Sequence, residues 1–508
     1  MRSQAQAENQ SGRWMALTAA LLGWLFDGLE MGLFPQVARP SLIDLLATQD
    51  DAVIGKWIGV ATASFLVGAA TGGVLFGWLG DRLGRVRAMT LSVLTYAVFT
   101  GLCGVADHAW QIAALRFVSA LGMGGEWSLG VALVMEIWPN QSRAFLAALI
   151  GAAANVGYLL VGVLTLGLAA IMQSLPPWLA ALGLSDYWVT RLTAHSGWRI
   201  LMLAGALPAL LTFFIRLFVP ESSRWQKEQL RGTTSHWAAR DLLGVCIGAL
   251  AALGIILLWT VDLPWPIQLA GTVFALFVTT LGFLFPAMRF LQREVEGNET
   301  SGLAWQSTIK RMLLGACLSG VALLGTWASM QWAPSWADQL ASADTLASAK
   351  DPNPPEKAFT QIAMASGAVF GTILAALLGD WLGRRVSYML LCLASLGAAL
   401  AFFQLNHEFG SVFLITVFLA GGLTASFYGW LPLYLPEIFR TGVRATGQGF
   451  SFNFGRIIAA IGALQTASLM SLFGGSYPKA CSIMSLIYLV GVAIIWFAPE
   501  TRGKPLPE

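Results

Sequence analysis

The chain is 508 residues long, 56% hydrophobic and 11% charged, with a formal net charge of +3. Soluble domains carry roughly a quarter charged residues, so an ordinary soluble protein is excluded. The apolar residues form blocks long enough to cross a hydrocarbon core of about 30 Å as helices. In lipid, backbone polar groups must be satisfied within the segment, which favours helices over strands. An all-α membrane protein follows.

In chain order, a polar tail (1–13) precedes apolar runs near 14–35, 56–79, 88–106, 110–136, 144–172 and 199–219. The first run lacks a small-residue cleavage site and reads as a span, not a removed signal. A polar, cationic stretch from Glu221 to Arg240 follows, then two runs at 241–261 and 266–288, joined by the tight turn Asp262–Trp265. Beyond a charged segment, 289–307, six more runs lie near 308–333, 359–379, 386–404, 410–434, 446–470 and 479–498, with a tail at 499–508. The pattern predicts 14 transmembrane helices: six-helix bundles at 14–219 and 308–498, and between them a unit (220–307) holding an extra hairpin at 241–288. The segment 334–358, rich in Ala, Ser, Asp and Pro, is expected to be a flexible surface connection, and 173–198 a long outer segment able to cap a cavity.

Cationic residues set the orientation, because cytoplasmic loops carry the excess of Lys and Arg. With the first tail inside, inner segments collect Arg82, Arg85, Arg87, Arg143, Arg224, Lys227, Arg231, Arg240, Arg289, Arg293, Lys310, Arg311, Arg384, Arg385, Arg440, Arg444, Arg502 and Lys504. Outer segments hold Arg39, Lys56, Arg191, Arg199, Lys350, Lys357 and Lys479. Both termini are therefore expected in the cytoplasm, and the protein in the cytoplasmic (inner) membrane. The five cysteines fall in apolar blocks without close pairing, as buried small hydrophobes would.

The two halves repeat each other. Gly80-Asp81-Arg82-Leu83-Gly84-Arg85 after the second run matches Gly379-Asp380-Trp381-Leu382-Gly383-Arg384 in the second half. Glu136-Ile137-Trp138 with Arg143-Ala144 matches Glu437-Ile438-Phe439 with Arg444-Ala445, and Pro220-Glu221 matches Pro499-Glu500. Matched landmarks in one order indicate two bundles related by a parallel repeat. The pattern from Gly77 to Arg85 resembles the signature loop of the major facilitator superfamily. That resemblance implies a transporter that carries a small-molecule substrate by alternating access and acts as a monomer. Gating is assigned to Gly77, Asp81, Arg82, Gly84, Arg85, Glu136, Arg143, Asp380, Arg384, Glu437 and Arg444. The stretches Gly122–Trp127 and Arg444–Phe450, through Asn453 and Arg456, are similar to the branch holding sialate, lactate and aromatic-acid proton symporters. Its sialate and lactate group is associated with fourteen spans, the extra pair inserted centrally.

Ionisable side chains inside a membrane are costly and mark function by default. Asp27 and Glu30, three apart, share a helix face. Two carboxylates in a poorly hydrated cavity form a candidate site for loading a proton on one side and releasing it on the other; a hydrated position for Glu30 at the outer mouth is the alternative. Resemblance to sugar-carrying relatives pairs an acid of the first span with an arginine of the fourth, here Asp27 with Arg116; a snorkelling anchor is the alternative for Arg116. Glu126 is assigned either a proton role or a structural pairing with a neighbouring cation. Asn453 and Arg456, also three apart, are expected to face one way, with Arg456 drawing an anionic solute. Organic anion carriers of the superfamily have an arginine at the same spacing after the arginine that opens the span; Arg456 follows Arg444 in that way. Asn155, Tyr158, Trp327, Gln331 and Tyr428 are candidate substrate contacts, while Trp332 and Trp336 read as interface anchors.

The leading functional expectation is a proton-coupled symporter of a small organic anion, such as a sugar acid, hydroxy acid or aromatic acid. The alternatives are a facilitator or exporter of an uncharged or cationic compound, in which Arg456 is structural, and a non-transporting membrane sensor. An enzyme is disfavoured: phosphate-loop, metal-ligand and cofactor motifs are missing, and His108, His195, His236 and His407 lie in loops or at span ends. No nucleic-acid partner or cofactor is expected, only a solute, protons and lipid.

Overall fold

The computed structural model describes residues 2–138, 143–172, 174–261, 263–296, 302–344 and 355–507. The described residues are almost wholly helical. α1 (Arg2–Leu46), α2 (Asp51–Leu83), α3 (Arg85–Cys103), α4 (Ala109–Ile137) and α5 (Arg143–Ile171) follow one another with short connections. The polar tail expected at 1–13 is helical from Arg2, since lengthening a formed helix adds one hydrogen bond per residue fixed. A short helix, α6 (Leu175–Ala181), and a longer one interrupted at Ala194–Gly197, α7 (Asp186–Ala204), lead into α8 (Ala209–Phe218). α9 (Ser223–Leu230) occupies the polar stretch that follows.

The hairpin is α10 (Leu242–Thr260) and α11 (Trp265–Glu296); Asp262 of its turn lies outside the described residues. The two helices touch closely through glycines: a Cβ on Gly282 would lie 2.5 Å from the Gly244 carbonyl oxygen. The pair rests against α2 on one side and against α12 (Gly302–Trp327), α18 (Arg444–Asn453) and α19 (Gly455–Leu472) on the other. It thus sits beside the junction of the bundles. The charged segment expected at 289–307 is largely absorbed into α11 and α12.

The second bundle continues with α13 (Ala333–Asp344), α14 (Pro355–Leu382), α15 (Arg384–Leu405), α16 (Ser411–Ala425), α17 (Phe427–Tyr434), α18, α19, α20 (Tyr477–Ser485) and α21 (Ile487–Ile494). The expected flexible connection at 334–358 is in part α13, whose Trp336 is buried against Phe402, Phe403 and Phe413. Trp336 is therefore a core residue and not an interface anchor; residues 345–354 of that connection lie outside the described residues. Cys246 and Cys317 are exposed on the exterior, while Cys103, Cys392 and Cys481 are buried.

Twelve helices among the described residues are long and apolar enough to cross a membrane. Two further apolar stretches are each divided. α7 gives way to α8 across Gly205–Pro208, where the proline lacks an N–H. α18 gives way to α19 at Phe454. The bundles meet through α5 against α14 and α17, and α18 and α19 against α2. The chain is an integral membrane protein with the major facilitator fold.

Candidate functional site

The first polar assembly lies on the arginine-rich face and repeats itself. Fully buried Arg85 donates to the Gly80 carbonyl (2.7 Å), Asp81 (2.7 Å) and Glu136 (3.0 Å). Arg384, its counterpart, donates to the Gly379 carbonyl (2.7 Å) and to both oxygens of Glu437 (2.8 and 3.0 Å). The Ser222 hydroxyl donates to Glu136 (2.5 Å) and the Thr501 hydroxyl to Glu437 (2.6 Å). Glu221 accepts from the backbone N–H groups of Arg85 (2.9 Å) and Val86 (3.1 Å), capping α3. Glu500 does the same for Arg384 (3.0 Å) and Arg385 (3.2 Å) at the start of α15. These caps require sharp turns at Gly84 (φ 108°) and Gly383 (φ 86°), a backbone region that favours glycine.

The two caps differ in electrostatics. Burial pushes the Glu221 carboxyl above its usual range, and its N–H donors offset this only in part. Burial also opposes ionisation of Glu500, but N–H donors from Arg384, Arg502, Arg385 and Thr501 outweigh it and hold that carboxyl below its usual range. Hydrogen bonds to the charged form have this effect.

The network also joins the bundles. Arg143 of α5 reaches Glu437 (2.8 Å), and Arg444 of α18 reaches Glu136 (2.9 Å). Asp81 accepts from the N–H groups of Ala445 (3.3 Å) and Thr446 (2.8 Å) and from the Thr446 hydroxyl (2.7 Å). An anion at a helix N-terminus is stabilised by the exposed N–H groups and the helix dipole, so Asp81 holds α18 against α2. Gly77 lies at the same contact; a Cβ there would be 2.8 Å from the Ala445 carbonyl oxygen. Arg82 stays outside the network, its guanidinium 4.9 Å from the centre of the Trp78 ring. Asp380 is exposed, 3.6 Å from Arg384, and differs in this from its counterpart Asp81. Glu221, Ser222, Thr441 (whose carbonyl accepts from Arg85 at 3.0 Å), Thr446, Glu500 and Thr501 were not among the expected gating residues. The repeated Pro-Glu at 220–221 and 499–500 was the signal for the two caps.

The second assembly is a cavity of about 100 Å³ between the bundles. Asp27, Asn155 and Tyr158 line it from the first bundle; Trp327, Gln331, Tyr428 and Arg456 line it from the second. Trp24, Trp127, Phe452, Met31, Met330 and Met364 supply much of its apolar wall. Trp127 and Phe452 stack across the bundle interface with centroids 3.7 Å apart. Arg456 Nε and Nη1, Asp27 Oδ1, Trp327 Nε1 and the Tyr428 hydroxyl are buried without a hydrogen-bond partner among the described residues. Asp27 and Arg456 interact electrostatically, with Glu30 the further acid acting on both. On the side away from the arginine-rich face, Gln36 donates to Gln361 (2.5 Å), Gln361 to the Tyr158 carbonyl (2.8 Å) and Tyr158 to Gln331 (3.4 Å).

Five expected arrangements are corrected. Arg116 pairs with Glu30 (3.5 Å), not with Asp27. Glu30 also accepts from Thr100 and Ser119 (3.3 Å each) and is 1% exposed, so it is not a hydrated residue at a mouth. Arg116 is no snorkelling anchor: it is buried with the Phe34 and Phe65 ring centres 4.0 and 4.4 Å from its guanidinium. Asn453 does not share the cavity with Arg456. α18 gives way to α19 at Phe454 between them with the backbone still helical, and the Asn453 amide donates to the carbonyls of Gly124 (2.9 Å) and Gly449 (3.1 Å), away from the cavity lining. Glu126 is buried with no cation in ion-pair reach among the described residues; it packs on Gly23, where a Cβ would be 1.8 Å from its Oε1.

Two helical bundles, a charged network sealing one face and a shared central cavity define a membrane transporter of the major facilitator type. The model of the sugar (and other) transporter family matches residues 44–245 and 287–508, and the chain belongs to that family. The unmatched interval falls on the α10–α11 hairpin. A putative metabolite transport protein of Haemophilus influenzae is 24% identical over 497 residues, 97% of this chain and 98% of that protein. A cis,cis-muconate transport protein of Acinetobacter baylyi is 24% identical over 499 residues, 97% of this chain and 95% of its own. Among solved structures, the proton:xylose symporter XylE bound to 6-bromo-6-deoxy-D-glucose superposes with a TM-score of 0.68 at 18% identity, covering 98% of both chains.

Proposed function

We propose that the protein accumulates a small organic anion together with protons by alternating access. The carrying observation is the shared cavity, where Arg456 from one bundle and Asp27 from the other each keep a polar atom without a partner among the described residues. A guanidinium with free N–H groups in an apolar, low-dielectric chamber suits a carboxylate, which it binds with charge-assisted hydrogen bonds. A carboxylate beside it takes up a proton as the solute arrives, or the reverse, which couples the two. Binding across both bundles links occupancy to the balance between open states. In this reading Glu30–Arg116 is a second, proton-sensitive pair within the first bundle, and Glu126 an acid placed next to Asp27. The similarity to a muconate transport protein supports an anionic solute.

The arginine-rich face is cytoplasmic in this proposal, which puts both termini inside an inner membrane. The divided stretches α7–α8 and α18–α19 complete fourteen spans, arranged as six-helix bundles at 14–219 and 308–498, with 241–288 an accessory hairpin. A second reading follows from the Asp27–Arg456 interaction itself: Arg456 neutralises Asp27 and the solute is uncharged. Proteoliposomes decide between them. With an inward proton gradient, an anion carrier accumulates a labelled carboxylate and is competed by other carboxylates but not by neutral sugars. Competition by sugars alone supports the second reading, and uptake indifferent to the gradient removes proton coupling.

A further inference from the structure

The segment after α21 crosses the charged network instead of hanging free. Thr501 donates to Glu437 (2.6 Å). The Lys504 carbonyl accepts from Arg143 (2.7 Å) and the Pro507 carbonyl from Arg444 (2.6 Å). Leu506, between them, is 3% exposed and joins the main apolar core. Gly503, Lys504 and Pro505 line a cleft with Arg143 of the first bundle and Asp380 and Arg384 of the second.

Arg143 and Arg444 are the two arginines whose ion pairs with Glu437 and Glu136 cross between the bundles. Each uses one terminal nitrogen for the glutamate and the other for a tail carbonyl. A guanidinium is a rigid planar fork, so fixing one nitrogen orients the other. We infer that residues 501–507 form a strap that holds the arginine-rich face closed. Leu506 is its anchor, and the carbonyls of Lys504 and Pro507 are its two clasps. Opening that face pulls Arg143 away from both Glu437 and Lys504, so the Lys504 clasp is made in the closed state alone, while the Pro507 carbonyl, on the same bundle as Arg444, keeps that guanidinium aimed across the interface at Glu136. A contact made in one of two states shifts their balance by its own free energy.

The inference rests on the alternating-access reading, and the test separates the two. Spin labels are placed at Leu83→Cys and Leu382→Cys, exposed repeat-related positions at the ends of α2 and α14, in a chain with its native cysteines replaced. Distances are measured by pulsed electron resonance in lipid nanodiscs for the full chain, for a chain lacking 504–508, and for full-length Leu506→Asp. The expected result is a rise of about tenfold in the ratio of long to short distances in both variants, within the range typical of conformational coupling. If the deletion does not fold, Leu506→Asp decides. A lowered melting temperature with an unchanged ratio overturns the strap, because the tail would then support the fold and not the state. A single distance in the full chain, with or without a carboxylate, counts against alternating access; in that case variants that open a second distance support the strap and variants that do not overturn it.

Discussion

Arg143 reaches 2.8 Å across the bundle interface to Glu437, and Arg444 mirrors it at 2.9 Å from Glu136. Each glutamate is held by two arginines, Glu437 by Arg384 and Arg143 and Glu136 by Arg85 and Arg444, and the two guanidiniums on Glu136 are fully buried. Removing one partner of a buried pair costs about 3–5 kcal/mol, because the remaining charge has no water to turn to. Arg143 is 11% exposed at its side chain. Glu136→Ala should therefore lower thermal stability in detergent far more than Arg143→Ala, with the latter costing about 1–2 kcal/mol. Melting curves of the two purified variants check the order.

The glutamates capping α3 and α15 predict opposite responses to neutralisation. Burial at Glu221 favours the neutral acid, so the fold gains little from its charge at neutral pH. Glu500 is held below its usual range, so its charge contributes stability above the unfolded value, about 4.3, and that contribution is lost as pH falls through the lower folded value. Glu500→Gln should be the more destabilising change at pH 7, and its deficit should shrink on acidification below about pH 4. Glu221→Gln should be close to neutral. Differential scanning fluorimetry across pH measures both.

Under the proposed function, variants of Arg456 and Asn453 should separate solute binding from packing. Arg456→Ala removes an unpartnered donor set from the cavity. Carboxylate affinity should fall by about tenfold to a hundredfold, corresponding to about 1.5–3 kcal/mol for hydrogen bonds to a charged group. Asn453→Leu removes bonds to the Gly124 and Gly449 carbonyls, and should lower stability while leaving affinity within about threefold, or 0.6 kcal/mol. Isothermal titration and melting of the two variants distinguish the roles.

The repeat was readable because it rests on local signatures: glycines at tight turns, arginines at loop ends, and glutamates at helix ends. The structure brings together Asp81, Arg85 and Glu136 and, separately, Arg384 and Glu437. The partners of the membrane-embedded charges were less readable. Helical spacing places Asp27 and Glu30 on one face but does not say which arginine each meets, and the pairing Glu30–Arg116 depends on how α1 rotates against α4. Residues three apart also stand about 60° apart around a helix, and Asn453 is turned to the Gly124 carbonyl of α4 while Arg456 lines the cavity. Trp336 looked like a boundary aromatic because it lies just past the end of an apolar run, but its packing partners Phe402, Phe403 and Phe413 lie far along the chain. The caps on α3 and α15 were visible as repeated Pro-Glu pairs, without a sequence feature that tied them to the helix starts.

Coupling between Asp27 and the solute held by Arg456 is tested most directly by comparing two modes of transport in one variant. Asp27→Asn keeps a polar side chain of similar shape but cannot exchange a proton. In proteoliposomes it should still exchange labelled for unlabelled carboxylate across the membrane, yet fail to accumulate carboxylate when an inward proton gradient is imposed. Accumulation by Asp27→Asn at the unmodified protein's level would contradict the account.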